Sequence, residues 1–278
     1  MTASPLLLCA RQELLLAIRS RWTQIFAVVF GALSLAVASS GYVLSGGSGV
    51  QDFSRTAVSL VQLVVLLVPL ASLVIGVLSL SPERGAAELL FSQPVPRSRI
   101  LLGQTLGLFV ALVAAEALGF GAAGLVIFSH AGGEGLAGFS ILFAGAAALT
   151  AVFLALAAVL SAGAVGRRRT RALAVALVVW FVAVVLFDVA ALGVASLLRS
   201  TAASRVLIAS CLLNPASAFR TGALLGIQGT TAFGSASLAF LRITKGPASA
   251  AGLLTLSLAL WVAVPAWIAA RRVERADI

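Results

Sequence analysis

Residues 56–80 read TAVSLVQLVVLLVPLASLVIGVLSL, and this stretch decides what kind of fold the chain adopts. It contains no Asp, Glu, Lys or Arg. A helix needs about 20 consecutive apolar residues to cross the ~30 Å hydrocarbon core of a bilayer, and this stretch is long enough. Because lipid offers no partner for backbone N–H and C=O groups, a membrane-crossing helix is the predicted structure.

Five other stretches have the same character, so the chain is predicted to be an all-α, polytopic membrane protein with a single transmembrane domain. Its 278 residues are 61% hydrophobic and only 10% charged. A soluble domain usually has about 25% charged residues, which excludes that class here. The predicted spans cover residues 22–45, 56–80, 100–129, 139–165, 172–198 and 248–270.

The basic residues predict the orientation of the spans. The chain has a net charge of +10, and all but Lys245 of its 19 basic residues are Arg. Cytoplasmic loops of membrane proteins carry an excess of Arg and Lys, so both termini are predicted to be cytoplasmic. Anionic lipid headgroups, rather than nucleic acid, are the expected partners of these arginines. The predicted outer segments then carry only the following basic residues: Arg55, Arg199, Arg205, Arg220, Arg242 and Lys245.

The segment before the first span is predicted to be a helix that lies in the membrane interface, over residues 5–21. Ser4 is a plausible N-cap and Pro5 occupies the first helical position. Charged and apolar residues alternate along the segment, which is typical of interfacial helices. An alternative stays open, because Ala36-Val37-Ala38 resembles a signal-peptidase site after the apolar run that begins at Thr23.

The loop between spans two and three predicts a short, rigid helix on the cytoplasmic face. It reads SPERGAAELLFSQPVPRSR from Ser81 to Arg99. Ser81 is a candidate cap and Pro82 suits the first turn, so the helix is predicted over residues 82–92. Pro94 and Pro96 end it before the third span.

The outer segment, residues 200–246, predicts a helical hairpin before the last span. Its apolar run from Val206 to Leu213 is too short to cross a membrane. Asn214-Pro215 breaks that run, and residues 216–227 are then predicted to form a second short helix. We therefore interpret the segment as a re-entrant or surface-lying hairpin.

The residue types needed for catalysis or metal binding are scarce. The chain has one His and two Cys, and it contains no Walker A sequence, no HExxH and no Ser-His-Asp set. A zinc or copper site needs several converging nitrogen or sulfur ligands. Cys9 and Cys211 lie far apart in sequence, and a structural disulfide between them is not expected. The sequence therefore predicts a protein that is not an enzyme and holds no cofactor of its own.

Two carboxylates lie within predicted spans, Glu116 in the third and Asp188 in the fifth. Ionisable groups inside a membrane are costly and often functional. No Lys or Arg lies in a span as a partner, so the simplest expectation is protonation, snorkelling or a hydrogen bond to a neighbouring helix. Two alternatives stay open: the carboxylates line a gate near the outer mouth, or they serve a self-contained secondary transporter or channel.

The third predicted span also contains the pair Gly103 and Gly107, which suits a close contact with another helix.

The whole layout resembles the type-2 ABC exporter permeases. Glu83-Arg84, Glu88-Leu89-Leu90 and Pro94-Val95-Pro96-Arg97 match the family's cytoplasmic coupling helix, and the hairpin before the last span also belongs to its pattern. The resemblance implies an ATPase subunit that grips this helix, with Arg97 and Arg99 anchoring its exit at the headgroups. The residues implied to contact the ATPase are Pro82, Glu83, Arg84, Glu88 and Leu89.

Within that family the chain is most similar to the permeases of nitrous-oxide reductase maturation systems. Leu213-Asn214-Pro215 and Phe219-Arg220, before the final span, carry this narrower resemblance. It implies a homodimer in a bacterial inner membrane and two copies of a separate ATPase that binds ATP and Mg. It also implies a periplasmic β-helical partner on the outer side.

Overall fold

The computed structural model describes residues 4–43, 50–81, 95–162, 168–229, 244 and 246–275, and within them every regular element is a helix. Six helical stretches are long and apolar enough to cross a membrane, so the predicted all-α, six-span fold class is confirmed. The helices are α1 (Pro5–Arg19), α2 (Arg21–Val43), α3 (Val50–Leu80), α4 (Arg97–Ser161), α5 (Arg169–Phe181), α6 (Phe187–Ser196), α7 (Ser200–Leu213), α8 (Pro215–Gln228) and α9 (Pro247–Glu274).

The backbone of α4 stays helical through the connection between the third and fourth spans, yet the chain reverses direction there. The Thr150 hydroxyl lies 2.5 Å from a Glu116 carboxylate oxygen, and the Phe120 and Phe139 ring centroids are 5.3 Å apart. A straight helix rises 1.5 Å per residue and brings neither pair together. The third span, Arg97–Ser129, is thus the first arm of α4, and the fourth, Gly138–Ser161, is the second arm.

The first helix, α1, docks on the first arm of α4 through the predicted glycine pair. A Cβ atom added at Gly103 would lie 2.7 Å from the Leu6 carbonyl oxygen, and one at Gly107 would meet the Ala10 carbonyl oxygen. Only glycine allows two helix backbones to come this close. The contact also buries Glu13, and this burial raises the pKa of the Glu13 carboxyl despite a hydrogen bond with Gln104.

The fifth span is interrupted at its middle by a π-helical turn, Val182–Leu186, which separates α5 from α6. Just before the turn, the Trp180 indole donates a hydrogen bond to the Leu66 carbonyl oxygen of α3 at 3.1 Å. Pro69 in α3 removes a helical donor nearby, because proline lacks an N–H. The share of residues buried is only 17% in the fifth span, against 56% in the second.

The two helices before the last span form a bent pair. The axes of α7 and α8 meet at 102° across Asn214. The Asn214 side chain accepts a hydrogen bond from the Ala216 N–H, and Pro215 starts α8, as expected for a capped helix. On the other side, the Ser257 hydroxyl of α9 donates to the Leu212 carbonyl oxygen at 2.6 Å. The predicted break at Asn214-Pro215 is confirmed.

Candidate functional site

One end of the bundle is rich in arginine, and several of these arginines bind helix ends there. The Arg169 guanidinium donates to the Leu78 carbonyl oxygen of α3 at 2.9 Å, and Arg272 donates to the Val159 carbonyl oxygen at 3.4 Å. Cations are favourable near helix C-termini, where carbonyl groups lack intrahelical partners. We call this the arginine-rich end.

The predicted coupling helix joins two anchored points at this end. Pro82, Glu83, Arg84, Glu88 and Leu89 lie outside the described residues. Just before them, Leu80 and Ser81 are buried, and the Ser81 hydroxyl donates to the Ser161 hydroxyl at 3.2 Å. Just after them, α4 begins with half-buried Arg97 and exposed Arg99, and Ile100 and Leu101 are buried.

These flanks belong to one apolar cluster at the arginine-rich end. It brings together residues from α1, α3, both arms of α4, and α9, and its buried members include Ala17, Leu80, Leu101, Ala158 and Val273. Closely packed helix ends move together rather than independently. Residues on both sides of the undescribed segment 82–94 therefore pack in a cluster that four helices share.

The first intramembrane carboxylate, Glu116, is fully enclosed between the two arms of α4. Its side chain is 0% exposed and accepts the Thr150 hydrogen bond through one oxygen. Its second oxygen has no hydrogen-bond partner among the described residues. The expected hydrogen bond to a neighbouring span is thus present, and Glu116 faces packed helix rather than an open pore.

Removing the Thr150 hydroxyl is expected to lower the free energy of unfolding. Thr150→Val leaves the enclosed Glu116 carboxyl without its partner, which costs about 1–3 kcal/mol. Glu116→Gln keeps a hydrogen-bonding group opposite Thr150 and is expected to cost less. The matched control is Thr105→Val, because the Thr105 hydroxyl bonds the Leu101 carbonyl within its own helix. Denaturant unfolding in mixed micelles measures all three, and equal losses for Thr150→Val and Thr105→Val would contradict the assignment.

The second intramembrane carboxylate, Asp188, is ion-paired, and its basic partner comes from outside the predicted spans. The Arg220 guanidinium lies 2.5 Å from one Asp188 oxygen, and the Ser217 hydroxyl donates to the other at 2.6 Å. Both partners belong to α8, in the hairpin rather than in a predicted span. The hairpin folds back beside the fifth span, and sequence distance concealed that contact.

Two more contacts extend this cluster, which lies beside a cavity. The Asn214 amide donates to the Ala183 carbonyl oxygen of the π turn at 2.6 Å. A cavity of about 170 Å³ lies between α6, α7 and α8. The Cys211 thiol lies 3.4 Å from the Thr221 hydroxyl at its wall. Its lining is part apolar and part polar: Asp188, Ala191, Leu192, Leu207, Ser210, Cys211, Ser217, Arg220 and Thr221.

The remaining hairpin candidate, Phe219, is a packing residue. It is 2% exposed within the main apolar core, where its ring lies against Gly145 on the second arm of α4. Sequence reasoning missed Ser217, Thr150 and Gly145. The first has a usable signal, because it lies three residues before Arg220 on one helical face. The others are ordinary small residues with no local signal.

No metal centre emerges from this geometry. Within the described ranges, His, Cys, Asp and Glu side chains do not gather in groups of three or more. Burial instead organises the polar side chains into hydrogen-bonded pairs between helices.

A bundle of six apolar helices with a bent helical hairpin before the last one defines a polytopic α-helical membrane protein. The chain belongs to the ABC-2 family of transporter proteins, whose sequence pattern matches residues 7–278. It is therefore an ABC-2 permease subunit of an ABC transporter, a kind of subunit that generally works as a dimer with ATPase subunits.

Two curated relatives cover nearly the whole chain. A probable ABC transporter permease protein NosY from Pseudomonas aeruginosa is 34% identical over 258 residues, which are 91% of this chain and 91% of the relative. A protein of the same name from Stutzerimonas stutzeri is 32% identical over 266 residues, which are 93% of this chain and 92% of the relative.

Proposed function

We propose that this permease converts ATP hydrolysis by a separate ATPase dimer into movement of its helices, through the coupling helix predicted at residues 82–92. The observation that carries this proposal is the anchoring of both ends of that segment. Leu80 and Ser81 on one side and Ile100 and Leu101 on the other are buried in packed helices. A push on this segment would be received by helices that are packed at both of its ends.

In this proposal the arginine-rich end faces the cytoplasm of a bacterial inner membrane, and both termini lie on that side. The positive-inside rule supports this orientation. Glu83, Arg84, Glu88 and neighbouring Pro82 and Leu89 contact the ATPase. ATP and Mg bind to that partner, and this chain itself holds no cofactor and catalyses no reaction.

The biological role we propose is maturation of nitrous-oxide reductase, including the processing of its copper site. The support is the likeness to two proteins named NosY, together with the Leu213-Asn214-Pro215 and Phe219-Arg220 pattern. A second copy of this chain completes the membrane unit, and a periplasmic β-helical protein receives the movement on the outer side. The hairpin, α7 and α8, is the part placed to transmit it.

Charge reversal in the coupling helix is expected to uncouple the complex. Glu83→Lys or Glu88→Lys places a like charge against the ATPase surface, and we expect at least a tenfold loss of ATPase co-purification or of stimulated hydrolysis. The matched control is Glu274→Lys, an exposed acidic residue of α9 at the same end. Unchanged association and hydrolysis in reconstituted proteoliposomes would refute the assigned contact.

The alternative of a self-contained secondary transporter or channel uses Glu116 and Asp188 as ion-binding groups. The geometry supports it less, because Asp188 is already paired with Arg220 and Glu116 is enclosed beside Thr150. Liposomes that contain this chain alone discriminate the two functions. Gradient-driven flux without the ATPase would favour the alternative.

A further inference from the structure

We propose that Asp188, Asn214, Ser217 and Arg220 form a latch that holds the hairpin against the fifth span beside the cavity, and that this latch opens during the ATPase cycle. We call these four residues the Asp188 latch. The opening of the latch rests on the proposed function, because the ATPase drives it. The closed latch itself is a property of this chain alone.

The latch is the main tie between two parts of different rigidity. On one side, α8 is held in the bundle, where its neighbours are α3, α4 and α9. On the other side, α6 has α7 as its principal helix neighbour, and Val189, Leu192 and Leu197 are more than half exposed. Movement of α6 away from α8 therefore leaves the packing of α8 in the bundle in place, but it breaks the latch.

The contacts of the latch are short and charge-assisted. Arg220 and Ser217 engage the two oxygens of Asp188 at 2.5 and 2.6 Å, and Asn214 holds the Ala183 carbonyl oxygen at 2.6 Å. The Asp188 and Arg220 side chains are 23% and 29% exposed, so water screens the ion pair only in part. Opening separates opposite charges in an apolar setting, which keeps the closed state favoured until work is applied.

The π turn sets the direction in which Asp188 points. Each residue of an α-helix turns by about 100°, so one additional residue in a wider turn rotates everything beyond it. Val182–Leu186 lies directly before Asp188, and this turn therefore aims Asp188 toward α8. If the turn relaxed to α-helical geometry, the carboxylate would rotate away from Ser217 and Arg220. Isolated π turns are uncommon and are frequent at functional sites.

Cys211 is a native reporter for this movement. Its side chain is half-buried at the cavity wall, on α7, opposite the latch. The only other thiol, Cys9, lies on α1 and is removed by Cys9→Ser. An open latch exposes Cys211 more fully to hydrophilic reagents from the outer side, and a closed latch slows their access.

The test measures the modification rate of Cys211 in the Cys9→Ser chain, reconstituted in vesicles, by membrane-impermeant methanethiosulfonate reagents. Arg220→Ala and Asp188→Asn are expected to raise the rate about tenfold, in line with ~1.4 kcal/mol per tenfold change in an equilibrium. The double reversal Asp188→Arg with Arg220→Asp is expected to return the rate toward that of the parent. One cationic and one anionic reagent are used, because a change of the same direction for both excludes a purely electrostatic effect on the reagent.

The matched control is Ser210→Ala. Ser210 lines the same cavity, but its hydroxyl bonds the Leu207 carbonyl oxygen of its own helix, so the rate is expected to stay unchanged. A near-parental rate for the Ser210 variant together with monodisperse elution of every variant shows that labelling reports the latch rather than unfolding. Equal rates in Arg220→Ala, Asp188→Asn and the parent would overturn the latch.

The second arm of the experiment adds the ATPase and traps the nucleotide-bound complex. The proposal expects faster modification of Cys211 in the trapped complex than in the nucleotide-free one. If Arg220→Ala and Asp188→Asn raise the modification rate of Cys211 but ATP does not, the proposal that the ATPase cycle opens the latch is overturned. Failure of the proposed function has a different signature, because Glu83→Lys and Glu88→Lys would then leave ATPase association and hydrolysis unchanged.

Discussion

Gly107→Leu is expected to detach α1 from the bundle and to cost about 3 kcal/mol of unfolding free energy, the upper part of the range for overpacked sites. The Cβ atom of the added side chain would overlap the Ala10 carbonyl oxygen and would lie 2.9 Å from the Leu14 backbone nitrogen. Backbone atoms of a helix cannot move aside as a side-chain tip can, so α1 itself must shift. Limited trypsin cleavage after Arg19 and Arg21 measures the release of α1, and unfolding in mixed micelles measures the cost.

The control for this prediction is Gly121→Leu on the same helix. Nothing lies within 4 Å of a Cβ atom added at Gly121. Both substitutions gain the same helix propensity, about 0.8–1 kcal/mol for glycine against a good helix former, so their difference isolates the clash. A Gly107 variant as stable and as trypsin-resistant as the Gly121 variant would show that α1 does not dock through this glycine.

Phe219→Ala is expected to cost about 3–5 kcal/mol, the usual loss when a buried phenylalanine is truncated. The Phe219 ring fills the space that a side chain at position 145 would otherwise take, because Gly145 has no Cβ atom. Alanine at position 219 leaves that space empty. Lipid tails are as apolar as the core, so the cost in a membrane comes from lost van der Waals contact rather than from exposure to water. Denaturant unfolding in mixed micelles measures this cost.

Phe128→Ala is the matched control, because Phe128 lies on α4 and is 53% exposed. A change at such a surface position is expected to stay within about 0.5 kcal/mol. Comparing Phe219→Ala with Phe128→Ala separates the effect of hairpin packing on stability from the effect of removing any aromatic side chain. Equal losses for both variants would mean that Phe219 does not hold α8 on the second arm of α4.

Much of the fold was predictable because lipid imposes strict local rules. A membrane helix must satisfy its own backbone and must be long enough to cross, so apolar length alone indicates it. Six apolar stretches are predicted to span, and six helices of the described structure are long and apolar enough to do so. Asn214-Pro215 was equally readable, because an amide cap followed by proline is a local signal for a new helix.

Less of the candidate site was predictable, because its contacts join residues far apart in sequence. The sequence of Val182–Leu186 gives no signal for a π turn, since the five residues include no proline or glycine. Asp188 was recognised as costly, but its partner, Arg220, is 32 residues away and belongs to a segment predicted to lie outside the spans. Only the packing of α8 against the fifth span brings the two charges together.

The sequence by itself determined that this chain is an all-α membrane protein with six spans, that a new helix starts at Asn214-Pro215, and that glycine lines one helix contact. These properties follow from the length, apolarity and capping of single segments. The tertiary structure alone decided that Glu116 meets Thr150 and that a π turn points Asp188 at Arg220. The physical reason is that a hydrogen bond or ion pair between distant segments depends on the relative placement of helices, which no local pattern encodes.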